Sequence, residues 1–600
     1  MPPDASKSAD SPRPDTQPSS LTIWASLNQG EILPALLTPL AGSMLEREYR
    51  SGYLFGPLLR RWGIVTVPDG ALVDIFHHRP YFNLTRTAAL LHRLEVFPFP
   101  YLDGQALAIQ VAGGEALSLG SIRAALDLSR VSLGKKVHHL FSTVRLLLRM
   151  ARWLAVGDRE GGQACAEFDL ALSALLPPDL RSLSLAELRA LLESLQKDLP
   201  NIAGRANVPG VIVIGLAFFL LDWVIRKWSG ERTGIVQADI ADVGTTHKMS
   251  ELKFALWKLV EEAERSEVVR GVFLESPEQP ITRILEQLET TVEGRSFLSS
   301  LQRFLMEYGH CGPGEIEVST PRWREVPRGL ANTVRRELLA HAAGDSASRR
   351  QLERHREVAT KRQAITERLG PARRAFFRAL LRYLDRYTVL REDSKFFGLK
   401  AVDAIRGVAL EAGRRLSNSG ILEKPEDVFF LTLDELEQLL PGQPTLAGCR
   451  TSVATRRLAY EHDATISPPQ FIRSDSDLRS DRPSEAPADS RQVLRGVAGS
   501  PGQAFGAAYI GVHPNEECDM KAGKVLVVRH PDPNWFPQLV RASALVTDTG
   551  GALCHLASIA REFGIPAVFG VQVATQMIQE GEMLVVDGDQ GCVLRQVQVD

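Results

Sequence analysis

The sequence is short of three features that would narrow its function at once: paired cysteines, net charge and long apolar runs. Its six cysteines lie far apart with no C-x-x-C pair, which argues against a disulfide scaffold or a zinc ribbon and favours a cytoplasmic location. The 70 Lys and Arg residues nearly balance the 72 Asp and Glu residues, so no overall field attracts nucleic acid or an anionic membrane. The most apolar run, Val211 to Leu221, is shorter than the roughly 20 residues of a membrane span.

Composition and length instead predict a soluble protein of several domains. Apolar residues make up 44% of the 600 residues and charged residues 24%, which is ordinary for globular chains, and a domain takes about 100–200 residues. The composition divides the chain into four parts, namely a disordered tail rich in Pro, Ser and Asp, a helical domain, a flexible linker and a smaller α/β domain: 1–25, 26–462, 463–492 and 493–600.

Apolar spacing supports this division. In the helical part, apolar residues recur at three- and four-residue intervals between arginines, as on one face of an amphipathic helix: Phe376, Phe377, Leu380, Leu381 and Leu384. In the last part, short β-branched runs bounded by Gly, Pro or Asp predict strands: Val525–Val528, Ala544–Val546, Ala567–Phe569 and Met583–Val586. We therefore expect a mainly α-helical acceptor domain followed by an α/β domain on a tether.

One segment of the last part carries the strongest indication of chemistry. After the predicted strand that ends at Val546, Gly550 and Gly551 allow a tight turn. His555 then falls in the first turn of a predicted helix, which Gly564 ends as a C-terminal cap. The pattern predicts a strand, a glycine turn and a helix that begins at a histidine.

A helix N-terminus disfavours a cation, so a histidine there is held as the neutral imidazole, which is a nucleophile. The unpaired N–H groups of the same turn would stabilise a phosphoryl group on the ring. The alternative is that His555 is a structural histidine, as most single histidines are. The residues alone do not decide between a nucleophilic and a structural histidine.

The C-terminal part resembles the swivelling phosphohistidine domain of the phosphoenolpyruvate-utilising enzymes, which include phosphoenolpyruvate synthase, pyruvate phosphate dikinase and rifampicin phosphotransferase. The resemblance rests on 495–502, on 532–537, on the segment around His555 and on Asp587–Gly588. It implies that His555 carries a phosphoryl group, and that the turn before it binds that group through Thr549, Gly550, Gly551 and Cys554. Members regulated by phosphorylation have Thr two residues before the histidine; here Leu553 stands there, so that control is not expected.

The helical part resembles the acceptor domain of rifampicin phosphotransferase, and the large subunit of phenylphosphate synthase is also similar. The motifs that carry this resemblance keep their order along the chain: 244–251, 308–317, 321–324, 391–397 and 426–431. Arg391 and Lys395 lie four residues apart, so a helix would direct both cations to one spot as a phosphoryl cradle. His310 and Glu315 in the glycine-rich loop are candidates for the general base on an acceptor hydroxyl. The alternatives are two solvated cations and a purely structural turn.

The family's ATP-grasp region, which phosphorylates the histidine, has no counterpart in these 600 residues, and no G-x-x-x-x-G-K-[ST] loop occurs. We therefore expect that the chain binds no cofactor by itself, and that ATP and Mg²⁺ act through a separate ATP-grasp subunit with AMP and phosphate as by-products. The expected function is transfer of a phosphoryl group through His555 to a hydroxyl of a small apolar or aromatic molecule. Two alternatives are phosphoenolpyruvate formation and a non-catalytic phosphocarrier or ligand-binding protein.

Overall fold

The structure is a computed structural model of the 600-residue chain. It describes residues 24–25, 36–51, 73–83, 159–229, 247–274, 280–312, 316–342, 347–440, 448–465, 471–472, 493–511, 520, 523–531, 535–551, 554–571 and 573–595.

Helices dominate the described residues up to 465, as the sequence predicts. They are, in chain order, α1 Pro39–Ser51, α2 159–175, α3 Leu185–Val224, α4 Lys248–Arg265, α5 Glu267–Leu274, α6 Ile281–Thr290, α7 Val292–Tyr308, α8 Pro327–Ala342, α9 Ala347–Arg368, α10 Pro371–Asn418, α11 Leu433–Leu439 and α12 Cys449–Thr465.

Helix α10, with 48 residues, is the axis of this part of the molecule. It begins with Pro371 at its first position, where a missing N–H costs nothing. Its first third packs on the end of α3, and its later turns contribute to three further apolar clusters. The predicted apolar stripe is correct except at Phe376, which is 45% exposed and packs edge-on against Trp228 instead.

A small antiparallel sheet was not predicted. Its strands are β1 Trp24–Ala25, β2 Val73–Phe76, β3 Arg79–Asn83 and β4 Phe471–Ile472, in the order β2-β3-β1-β4. It therefore joins residues of the predicted disordered tail (β1), of the predicted helical domain (β2 and β3) and of the predicted linker (β4). Helix α12 also extends into the predicted linker, through residue 465.

The C-terminal part is built on an eight-stranded sheet. Its strands are β5 Val493–Arg495, β6 Val497–Ser500, β7 Gln503–Gly511, β8 Val525–Val528, β9 Ala544–Thr547, β10 Ala567–Phe569, β11 Met583–Asp587 and β12 Cys592–Arg595, in the order β5-β12-β11-β7-β8-β9-β10-β6. The four strands predicted from β-branched runs are confirmed almost to the residue. Short helices lie between them: α13 Phe536–Leu539, α14 His555–Glu562 and α15 Ala574–Met577.

Strands β7, β8, β9 and β10 pair in parallel, with β8 and β9 in the middle. All residues of β8 and β9 are buried, as expected for parallel strands covered on both faces. The carboxyl ends of parallel strands meet at one edge of a sheet, which places the segments after β8 and β9 side by side.

Among the described residues, no helix has both the length and the hydropathy to span a bilayer.

Candidate active site

The segment after β9 has the predicted strand, glycine turn and helix. Gly550 has φ +96°, and a Cβ at this position would lie 2.7 Å from Cγ of Pro531, so both conformation and space require glycine. The Cys554 N–H donates to the carbonyl of Gly551 at 3.1 Å, and Cys554 is the extended N-cap residue of α14. His555 is the first residue of that helix. The backbone placement predicted for His555 is confirmed.

The other end of α14 is held by a Schellman motif. Gly564, with φ +65°, donates its N–H to the carbonyl of Arg561, and Ile565 donates to Ala560 at 2.8 Å. These two bonds satisfy carbonyls that the helix end would otherwise leave open. The predicted C-terminal cap at Gly564 is confirmed, and α14 is a single short helix with fixed ends.

Thr549, predicted to bind the phosphoryl group, takes part in holding the turn. Its N–H and its hydroxyl both donate to the carbonyl of Arg529, at 3.1 and 3.2 Å. Since the hydroxyl proton is used there, Thr549 Oγ1 accepts from Nδ1 of His530, 3.0 Å away. Burial and the cations Arg529 and Arg79 lower the pKa of His530 to about 3, so the ring is neutral.

His530 was not predicted from the sequence. Its proximity to Thr549 was predictable, because His530 follows β8 as Thr549 follows β9, and adjacent parallel strands bring such residues together. Its hydrogen bond to Thr549 joins the loop after β8 to the loop that leads to His555.

Asp548 anchors the same turn from the opposite side. It is 4% exposed and accepts hydrogen bonds from the N–H and the hydroxyl of Thr575, at the start of α15. Burial raises the pKa of its carboxyl to about 6, although the bonds from Thr575 favour the ionised form.

Asp548 should make the stability of this turn depend on pH. Its pKa of about 6 in the fold lies above its value near 4 in an unfolded chain. Its contribution is therefore complete below about pH 4 and is lost as pH rises through 6, a change of about 2–3 kcal/mol. His530 lies in the same turn and its lowered pKa acts in the opposite direction, so the parent chain is compared with Asp548→Asn, in which His530 is unchanged. We expect hydrogen exchange of the β9 amides to show that protection in the parent chain relative to Asp548→Asn is lower at pH 7 than at pH 4.5. If the ratio of protection in the two chains is the same at both pH values, Asp548 does not cause a pH dependence.

The predicted base His310 lies in a tight turn after α7. The main chain on either side of it is tied to a second segment: Arg324 donates to the carbonyl of Gly309 at 3.0 Å, and Trp323 donates to that of Cys311 at 2.9 Å. The His310 ring is 2% exposed and packs edge-on against Phe396 of α10, with centroids 4.7 Å apart.

Burial, together with the nearby cations Lys400, Arg324 and Arg322, lowers the pKa of His310 to about 3. The ring is thus neutral at physiological pH and can accept a hydrogen bond. A base of this pKa binds a proton only weakly. His310 is therefore better suited to orienting an acceptor hydroxyl than to removing its proton. Glu315, the other predicted base, lies outside the described residues.

Arg391 and Lys395 lie one turn apart on α10, as predicted, and both are partly exposed. The Arg391 guanidinium donates twice to Glu392 Oε1, at 3.0 and 2.6 Å, and Glu392 is 6% exposed. Arg391 therefore neutralises a buried carboxylate besides presenting charge. Phe396, which contacts the His310 ring, is the residue after Lys395, so His310 packs against the same stretch of α10 that carries the two cations.

Helix α4 connects this stretch to the C-terminal part. Its first residue, Lys248, donates its N–H to Asp393, which lies between Arg391 and Lys395. Nine residues on, Trp257 packs edge-on against Phe563 at the end of α14, with centroids 6.4 Å apart. The end of the helix that carries His555 and the stretch of α10 between the two cations therefore contact α4 nine residues apart.

Two family descriptions match the sequence. Residues 206–392 match "Rifampicin phosphotransferase fourth domain", a stretch that includes His310 and Arg391. Residues 520–591 match "PEP-utilising enzyme, mobile domain", a stretch that includes the whole turn around His555.

Relatives match along much of the chain. A rifampicin phosphotransferase from a Streptomyces species is 30% identical over 427 residues, which is 67% of this chain and 46% of that protein. The rifampicin phosphotransferase of Bacillus subtilis is 26% identical over 428 residues, 68% of this chain and 46% of the relative. The prodigiosin synthesizing transferase PigC of Serratia marcescens is 25% identical over 595 residues, 96% of this chain and 63% of that protein.

The chain thus spans about half the length of the rifampicin phosphotransferases that it matches. The mobile-domain match covers the strand, turn and helix that position His555, and the fourth-domain match covers much of the helical part. Residues 520–591 thus match the mobile domain of phosphoenolpyruvate-utilising enzymes, residues 206–392 match the fourth domain of rifampicin phosphotransferase, and the chain is similar to rifampicin phosphotransferases over about two thirds of its length.

Proposed function

We propose that the chain is a phosphotransferase that carries a phosphoryl group on His555 and passes it to a hydroxyl of a small apolar or aromatic acceptor. One observation carries the proposal: His555 is the first residue of a helix that follows a positive-φ glycine, inside the mobile-domain match. Unpaired backbone N–H groups at such a helix start favour a neutral imidazole before transfer and stabilise the anionic phosphoryl group after it.

The proposed reaction has two displacements at phosphorus. In the first, an imidazole nitrogen of His555 attacks the phosphoryl group of the donor, forming an N–P bond while the P–O bond to the leaving group breaks. In the second, the acceptor hydroxyl oxygen attacks the same phosphorus, the N–P bond breaks, its electron pair returns to the ring and the hydroxyl proton passes to water. The transition state of such transfers is loose, so positioning and charge neutralisation matter more than a strong base.

The residues of the helical part fit the second displacement. Arg391 and Lys395 supply two cations one turn apart, and such cations stabilise a transferring phosphoryl group in a site that excludes water. The neutral His310 ring can accept a hydrogen bond from the acceptor hydroxyl or from a protonated phosphoryl oxygen. The Trp257–Phe563 contact supports docking of the His555 helix against the same part of the chain.

The phosphoryl donor in this proposal is ATP, bound with Mg²⁺ by an ATP-grasp partner subunit. Attack of His555 on the β-phosphorus releases AMP, and water then cleaves the γ-phosphate from the histidine-bound pyrophosphoryl group and releases it as phosphate. The proposal assigns Mg²⁺ to the partner and routes no step of this chain through it. Among the described residues no group of three or more His, Cys, Asp or Glu side chains is placed to hold a metal ion.

The purified chain alone should neither bind nor hydrolyse ATP. Calorimetric titration with Mg·ATP should give no saturable heat, and ATP labelled at the β-phosphate should leave the chain unlabelled until the partner is added. Addition of rifampicin, the first acceptor to assay given the fourth-domain match, should then remove the label. Micromolar ATP binding by the chain alone would contradict the partner, and no labelling with the partner would contradict the phosphotransferase itself.

A second candidate function follows from PigC, which matches 96% of the chain. Its name describes a synthesizing transferase, and a phosphorylated acceptor can serve as an activated intermediate in synthesis. In that case the phosphorylated acceptor would be consumed when a second small molecule is supplied, whereas a final phosphorylated product would accumulate.

A further inference from the structure

Two buried side chains in the helical part have polar atoms with no hydrogen-bond partner in the described structure. His310 is 2% exposed and its Nε2 is unpartnered. Arg322 is 1% exposed, and of its guanidinium nitrogens Nε and Nη1 are unpartnered while Nη2 donates to the carbonyl of Glu317 at 3.1 Å. Leaving a buried polar group unsatisfied is destabilising, and more so for a charged group, so an occupant is expected.

The two side chains belong to neighbouring segments. Main-chain bonds join 309–311 to 323–324, as described above. At the next residue, Gly312, a Cβ would lie 3.2 Å from Cα and 3.6 Å from Cδ of Arg322. Glycine at 312 therefore lets the stem of Arg322 pass directly beside the His310 turn.

Arg322 differs from the other cations of this region in the partner of its side chain. Arg406 forms a bidentate pair with Glu325, at 2.7 and 2.8 Å. Arg324 lies 3.3 Å from Asp403, and Lys400 lies 2.5 Å from Asp169. The contact made by the Arg322 side chain is instead to a main-chain carbonyl. A buried guanidinium stays charged, and without a carboxylate in contact it favours a bound anion.

The histidine restricts which anion fits. The unpartnered ring nitrogen is Nε2, so Nδ1 is left for the hydrogen bond to the main chain of Glu307, and because that bond raises the pKa of the ring, Nδ1 is its donor. In the neutral ring Nε2 is then a bare acceptor. The occupant must offer an anionic oxygen to Arg322 and an O–H to His310.

We propose that Arg322 and His310 form a binding site for a protonated oxyanion of the phosphate class, either inorganic phosphate or a phosphomonoester. The site would give the helical part its own phosphoryl subsite, apart from His555. Its place in catalysis rests on the proposed phosphotransferase function, whereas binding itself needs no phosphorylated histidine.

The test compares phosphate with sulfate, because sulfate has the same shape but no proton at pH 7. Both anions are titrated calorimetrically into the His555→Ala chain, in which failure of phosphoryl transfer cannot affect the result. Phosphate should bind about tenfold or more tightly than sulfate, the value of one hydrogen bond to a charged partner. Arg322→Gln should weaken phosphate binding by a similar factor or more, and His310→Phe should remove the preference for phosphate.

The matched control is Arg414→Gln on α10, whose arginine is partly exposed and pairs with Glu411; its phosphate affinity should stay within about twofold. If Arg322→Gln is unfolded at the assay temperature, Arg322→Lys replaces it. This variant keeps the positive charge but lacks the planar guanidinium with its paired N–H donors, so it should still weaken phosphate binding. Equal affinity for the two anions, or no phosphate binding at all by the parent chain, would overturn the proposal and leave water as the occupant.

Discussion

Replacing His555 with Ala should abolish acid-labile phosphorylation of the chain and leave its folding nearly unchanged. The physical reason is that the substitution removes the nucleophilic nitrogen from the start of α14 and leaves the glycine turn and the Schellman cap in place. The experiment incubates each chain with the ATP-grasp partner and ATP labelled at the β-phosphate, and counts label that is stable to base and released by acid. We expect no label above background in the variant.

His462→Ala is the matched control, because His462 is 71% exposed near the end of α12, far along the chain from the mobile-domain match. It should be labelled to the wild-type level. Acid-labile label that persists in His555→Ala would place the phosphoryl group on another residue and would remove the basis of the proposed function.

Lys395→Ala and Arg391→Ala should leave labelling of His555 nearly intact and slow its discharge to the acceptor. Both cations lie on α10, in the part of the chain that the proposal assigns to the acceptor, whereas the proposal assigns the first transfer to the partner subunit. If each contact resembles an oxyanion-hole donor, its loss costs about 2.7–4 kcal/mol, roughly a hundred- to thousandfold in rate. The rate is read from single-turnover discharge of the labelled chain.

The two variants should differ in stability. Arg391→Ala leaves the buried carboxylate of Glu392 without its guanidinium, so it should also lower the melting temperature. Lys395→Ala therefore gives the cleaner kinetic test. Arg378→Ala, an exposed arginine on the same helix, is the control and should discharge within about twofold of wild type; wild-type discharge by Lys395→Ala would show that this cation does not contact the phosphoryl group.

The C-terminal part was the most predictable from sequence. Runs such as Val525–Val528 are short, β-branched and bounded by turn residues, so local pattern and final structure agree. The turn before His555 was predictable for a similar reason, since a positive φ at Gly550 and a cap at Gly564 are properties that glycine alone supplies readily.

Long-range features were not predictable. Strands β1 and β4 have two residues each, too few for any periodicity, and they pair across more than 400 residues of chain. His530 and Arg322 gained their significance from neighbours that only the fold supplies, respectively Thr549 and the side chain of His310. A pattern along the sequence carries no information about such pairs.

We propose that one histidine carries the phosphoryl group from donor to acceptor. The most direct test of this transfer is a pulse–chase measurement on the full chain. The chain is labelled through its partner, freed of ATP and mixed with rifampicin or another hydroxylated acceptor in a single turnover. We expect label to leave His555 and to appear on the acceptor at the same rate and in equal amount. Label that stays on the protein, or leaves as inorganic phosphate at a rate independent of the acceptor, would contradict transfer through His555.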